Sequence, residues 1–271
     1  MPQTEAHEAY EEPRSARLVA WGNAWFAGLA SPDDAATAVR GGDDAHVVKG
    51  LPGADGVGLT LALGRLRALG ATGLRLALPA PGHPLGLTGP ADFNARALET
   101  GEAVLAVGAP WGLVPEALWH GADHEDDGVL AVSWYALPVN AGRPADVPAL
   151  RDAERELVEA VRDTTESLVR LDVAGAGPAV QRALGRLRAR QESDVEELLA
   201  PGYPPRAVRV LQSARRVAAL IAVAALSEGA AVTAGEMAAR AAALRPLERA
   251  ARRARVAAYN AAVDEPVTEG R

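Results

Sequence analysis

The composition of this chain changes near residue 145, and the stretches on either side must bury their apolar surface by different means. All five tryptophans and all five histidines precede that point, with most of the glycines. Beyond it come arginine- and alanine-rich segments of helical period with few glycines. This predicts an α/β (or α+β) N-terminal domain with a small mixed sheet, followed by an all-α antiparallel helical bundle. The expected limits are a disordered acidic tail over 1–14, the α/β domain over 15–145, the bundle over 148–263 and a disordered tail over 264–271. The stretch Pro138–Pro148 joins the two domains.

With 271 residues, 49% of them hydrophobic, the chain can fill one or two cores without metal or disulfide support. The lack of cysteine excludes thiol nucleophiles, disulfides and thiolate metal sites, and points to a cytoplasmic setting. Met1–Glu12 is polar and acidic, unlike a secretory leader. Val217–Leu226, the longest apolar run, is about half the length of a membrane span, so no membrane partner is expected. The net charge of −7 divides into −8 up to Pro144 and +1 afterwards, which disfavours a generic nucleic-acid binder.

In the first half, Leu18, Trp21, Trp25 and Leu29 predict an apolar helix face over Ser15–Ala30. Ser31, Pro32, Asp33 and Asp34 start a second helix, which Gly41 and Gly42 end. Strands are expected at Ala45–Lys49, Leu74–Pro79 and Ala103–Val107, with helices between them. Short crossovers in that order suggest neighbouring parallel strands. Leu113–Trp119 and Val129–Leu137 read as a hairpin, with Pro115 needing an edge position. In the second half, Leu157, Val161, Leu168 and Leu171 form one stripe, and Val180, Leu184, Leu187, Val195 and Leu198 another. Arg206–Ser227 is a third, strongly apolar segment. A final helix starts at the capping box of Thr233 and Glu236, with a kink or break expected at Pro246.

Two segments carry the candidate ligand chemistry. The glycine-rich turn from Gly50, with Gly53, Gly56 and Gly58, follows a strand and opens a helix beside Lys49, the chain's single lysine. Such a turn can aim N–H groups at a phosphate or carboxylate, although its spacing matches neither the dinucleotide fingerprint nor the P-loop. The long loop Pro79–Asp92 holds His83, Thr88 and Asp92, with Asn94 and Arg96 in the helix that follows. Loops of this length at strand ends are often functional.

Other patterns favour simpler readings. His120, Asp123, His124 and Glu125–Asp127 read as a solvated hairpin tip rather than a metal site, because Gly121 and Gly128 oppose a helix there. No nucleophile elbow is present, so catalysis has no positive support, and no cofactor motif is found. Arg245, Arg249, Arg252 and Arg253 form the wet side of the last helix, available to an acidic partner protein or, as a weaker alternative, to DNA. The expectation is an interaction or scaffold protein assembling with itself or another protein through its helical half. The alternatives are a small-anion enzyme or sensor, for a nucleotide or phosphometabolite, and a DNA-binding regulator.

Overall fold

The computed structural model describes residues 12–120, 129–140, 142, 144, 146–170, 199–226 and 234–264. These residues hold seven helices and a five-stranded mixed sheet: α1 (Arg14–Phe26), α2 (Pro32–Arg40), β1 (Ala45–Lys49), α3 (Leu59–Ala68), β2 (Gly73–Ala77), α4 (Ala91–Thr100), β3 (Ala103–Val107), β4 (Trp111–His120), β5 (Val129–Pro138), α5 (Leu150–Arg170), α6 (Pro205–Leu226) and α7 (Ala234–Asp264). The chain divides into two compact units. One comprises Pro13–Val147, Leu199–Pro204 and Tyr259–Arg271, and the other Met1–Glu12, Pro148–Leu198 and Pro205–Ala258.

The sheet order is β1-β5-β4-β3-β2. Only β1 and β5 are parallel; β2 with β3, β3 with β4 and β4 with β5 are antiparallel. The parallel arrangement expected of the first three strands is therefore wrong. β3 begins at the end of the sheet where β2 finishes, with Ala103 opposite Ala77. The hairpin of β4 and β5 forms as expected, with Pro115 opposite Trp134, but β4 lies inside the sheet and not at its edge. Pro115 lies past the paired positions Leu113 and Gly112, so its missing N–H removes no bond to β3.

Period-two alternation sorts the strands into two faces. Leu74, Leu76, Val104 and Leu113 lie buried on the first, beneath α1, and Val132 and Trp134 of β5 are buried on the same face. The helix face that docks here shares only Leu18 with the stripe marked by the large residues. Of the expected stripe Leu18 is buried, together with Ser15, Ala16, Val19, Ala20 and Asn23, whereas Leu29 is 49% exposed and Trp25 is half-buried beneath the Arg67 guanidinium, 3.7 Å from its ring. Small residues win because α1 sits close to the sheet: a Cβ on Gly22 would stand 2.5 Å from Leu74 Cδ1. On the second face, α4 lays Phe93 and Ala97 over Ala77, Ala103, Leu105 and Val114. Gly112 leaves the space that the Phe93 ring fills, and a Cβ there would collide with that ring and with Val139. Gly112→Val is expected to lower stability by about 1–3 kcal/mol through overpacking. An unchanged urea midpoint would refute this packing.

Both sheet edges are covered. On the β2 side, the Asn23 amide brackets Leu74, accepting from its N–H at 2.7 Å and donating to its C=O at 2.9 Å. Asn260, near the end of α7, does the same for Leu76 at 2.7 and 3.2 Å. Both amides are buried. Two side chains thus replace two residues of a missing neighbouring strand and satisfy backbone groups that would otherwise invite pairing. The Tyr203 hydroxyl bonds the Asn23 side chain and donates to the Tyr259 carbonyl at 2.8 Å, and burial pushes its phenol well above the ordinary range. Asp264 adds an ion pair to Arg75 at 2.6 Å. On the β1 side, Val48 and Val57 exchange N–H···O bonds of 2.7 and 3.1 Å.

In the other unit, α5 buries Leu150, Ala153, Leu157 and Thr164, while Val161, expected on its apolar stripe, is 39% exposed. Ile221, Leu244 and Leu247 pack together with Ala160 and Val217 against them. Pro246 lies within α7, which continues through it. Arg206 pairs with Glu154, Arg253 with Glu156, and Arg215 and Arg255 both with Glu12. The stripe from Val180 to Leu198 and the capping residue Thr233 lie outside the described residues, as does most of each expected tail. Among the described residues no helix is long and apolar enough to cross a membrane.

Candidate functional site

The glycine-rich turn spends its hydrogen-bonding groups internally. Gly50 adopts φ +82°, and a Cβ there would approach the Ala136 carbonyl oxygen to 2.9 Å. The Gly50 N–H donates to the Asp55 carboxylate at 2.7 Å, so this side chain takes the place that a bound anion would occupy. Ala54 N–H closes on Leu51 C=O at 3.0 Å, and Arg65 reaches the Pro52 carbonyl. Gly53 lies against Arg65, and Gly56 and Gly58 face open space. Through Val57, the segment acts as a cover for the outer edge of β1.

The loop Pro79–Asp92 is likewise tied down. Ala80 and His83 exchange backbone bonds of 2.8 and 3.0 Å at a tight turn. The Gly86 N–H donates to the Asp146 carboxylate, the Gly89 N–H to Asn94 Oδ1 at 3.0 Å, and Asn140 Nδ2 to the Thr88 carbonyl at 2.6 Å. Asp92 is exposed in the first turn of α4. His83, Thr88, Asp92 and Asn94 are thus parts of a closed loop with no shared focus among their described bonds.

Two of the predicted residues do converge. Lys49 and Arg96 both reach the ring of Tyr135, at 5.5 and 3.9 Å from its centroid. Lys49 Nζ donates to Ser133 Oγ at 3.1 Å, and Arg96 Nε pairs with Glu116 at 2.7 Å. The geometry follows from register. Lys49 stands opposite Tyr135 in the parallel pair, Tyr135 opposite Val114, and Ser133 opposite Glu116. All lie on the second face, where the buried cluster under α4 is built from β2, β3 and β4 and the β1 and β5 residues are only half-buried. Arg96 is one turn beyond Asp92 on α4, which carries its guanidinium out over the Tyr135 ring, a favourable cation–π placement. Two cations against one carboxylate leave this patch with one net positive charge. Tyr135, Ser133 and Glu116 were missed as site residues. Alternation in β5 puts Ser133 and Tyr135 on one face, but only the pairing with β1 brings Lys49 to them.

On the opposite face lies a buried polar network. Asp43 accepts from Arg14 Nε and Nη2, both at 2.8 Å, and lies 3.0 Å from His46 Nε2; Trp134 Nε1–H donates to His46 Nδ1 at 3.2 Å. Nδ1 must therefore be the unprotonated nitrogen and Nε2–H the donor to Asp43. Burial raises the Asp43 pKa, but the hydrogen bonds from Arg14 and His46 with the arginine charges bring it below its ordinary value. Burial lowers that of His46, outweighing Asp43. With both ring nitrogens engaged, this histidine holds β1 to β5 and α1, and has no free nitrogen for proton transfer.

Arg245 and Arg249 are exposed on α7, while Arg253 is paired and burial depresses Arg252. The histidine and acidic positions from His120 to Asp127 lie outside the described residues or have undescribed side chains. Among the described residues no cluster of three metal-ligating side chains occurs.

Two family models match the chain: the N-terminal domain of the Rv1486c-like protein over residues 15–150 and its C-terminal domain over 151–256. The chain is 34% identical over 244 residues to "Uncharacterized protein Rv1486c" of Mycobacterium tuberculosis, covering 78% of this chain and 82% of that relative. It is 30% identical over 289 residues to "Uncharacterized protein ML1804" of Mycobacterium leprae, covering 91% and 96%. No solved structure matches.

Proposed function

The chain belongs to the Rv1486c-like protein family, and we propose that it is a binding protein, not an enzyme, that recognises an anionic group on the half-buried part of its sheet. The observation that carries this reading is the convergence of Lys49 and Arg96 on Tyr135. Each cation is anchored by one partner and keeps N–H donors to spare: Lys49 holds Ser133 through one of its three, and Arg96 pairs through Nε, leaving its two terminal nitrogens. The described histidine His46 offers no catalytic base, because Asp43 and Trp134 engage both of its ring nitrogens. A thermal-shift series of inorganic phosphate and small carboxylates tests the reading. A ligand at 100 times its Kd adds about 2.7 kcal/mol of stability, and Lys49→Ala is expected to abolish the shift. A flat response to every anion would remove this function.

A second reading is assembly through the helical half, closed as an antiparallel bundle. Val158 and Val161, one turn apart on α5, are 56% and 39% exposed. A self-associating chain would show a mass that rises with concentration in light scattering, and Val158→Glu would return it to the monomer. A constant monomer mass would remove this reading.

A further inference from the structure

Resting on the anion-binding reading above, we infer that the ligand is an amphipathic monocarboxylate: a small organic acid whose apolar tail lies along β5. The second face is ordered in rows across the strands. Lys49 and Tyr135 stand in one row, Ser133 and Glu116 in the next, and Ala45, Ala131 and Leu118 in the third. The first two rows carry the charge; the third is apolar, with Leu118 48% exposed. Four residues of β5 separate the first row from the third, a run of roughly 13 Å. A molecule with one polar end and one apolar end is complementary to that gradient in a way that a compact ion is not.

Charge selects the head group. Lys49 and Arg96 against Glu116 leave a single positive charge, which one negative charge neutralises, whereas a phosphate dianion would be left facing the Glu116 carboxylate. Geometry selects it further. The guanidinium carbon of Arg96 stands 3.9 Å from the Tyr135 ring centroid and its Nε is engaged by Glu116, so its two terminal nitrogens remain as a planar fork. A planar carboxylate matches such a fork bidentately. Lys49, steadied by Ser133, supplies the second contact to the same head.

Calorimetric titration of the full chain with acetate, butyrate, octanoate below its micelle concentration, octanamide and inorganic phosphate tests the inference. Affinity is expected to grow about two- to fourfold per methylene along the carboxylate series. Octanamide, which has the tail without the charge, should bind at least tenfold more weakly than octanoate. Lys49→Met and Arg96→Met should each weaken octanoate tenfold or more, and the uncharged Leu118→Asn should weaken octanoate by a larger factor than acetate; circular dichroism confirms that each variant is folded. Carboxylate affinity independent of tail length, or phosphate binding tighter than octanoate, would overturn this inference and leave anion recognition standing. If neither phosphate nor any carboxylate binds, both fall.

Discussion

Asn260→Leu is expected to destabilise the protein by about 2–6 kcal/mol, because each of two buried backbone groups left without a partner costs about 1–3 kcal/mol. The leucine is close to asparagine in size but makes neither of the bonds, of 2.7 and 3.2 Å, that Asn260 makes to Leu76. Against a total stability of about 5–15 kcal/mol for a folded domain, that is a large fraction. Asn260→Asp should fall between, since the carboxylate still accepts from the Leu76 N–H but cannot donate to its carbonyl. The double replacement of Asn23 and Asn260 by leucine would strip the β2 edge of both amide brackets, and aggregation through that edge is expected. Urea denaturation gives the stability and light scattering the aggregation; a variant with the midpoint of the parent would show that the amides contribute nothing.

Asp43→Ala should cost about 3–5 kcal/mol, the range for removing one partner of a buried ion pair. The carboxylate side chain is 7% exposed and holds Arg14 in two bonds of 2.8 Å with His46 at 3.0 Å, so its loss removes these three contacts together. The same network makes the fold acid-sensitive. His46 has its pKa lowered mainly by burial, so the unfolded chain takes up its proton more readily; this stability is present above about pH 6.5 and is lost as the pH falls through the folded value. Asp43, also depressed in the fold, adds a loss at lower pH, beneath the ordinary aspartate range. Glu102, raised by burial, acts in the opposite sense, its contribution fading as the pH rises. The urea midpoint should therefore drop between pH 7.5 and 5.5, and His46→Gln should remove that drop. An equal drop in the variant would place the acid sensitivity elsewhere.

The extent of each element was better marked in the sequence than its partner. Ser31 and Pro32 start α2 as expected, with the Ser31 side chain accepting from the Asp34 N–H, and β1 and β3 fall at the expected residues. Glycines and charged residues punctuate these segments locally, which is why their limits could be read. Strand direction could not, because each residue of β1 pairs with one 86 positions further along, as Ala45 does with Ala131, and no periodicity encodes that choice. The docking face of α1 was hidden for another reason: counting large residues favours Trp21 and Trp25, whereas close approach to Leu74 favours Ala16, Ala20 and Gly22. Of the site, Lys49 and Arg96 stood out as single residues, but the aromatic ring that unites them depends on the sheet register.

The bond from Asn260 to Leu76 spans 184 residues. On a ribosome adding roughly 5–20 residues per second, strand β2 is laid down some 10–40 s before the amide that plugs its margin emerges. Through that interval the nascent chain must keep Leu76 wetted or shielded by a chaperone, so any pause late in translation lengthens its exposure to neighbouring nascent chains.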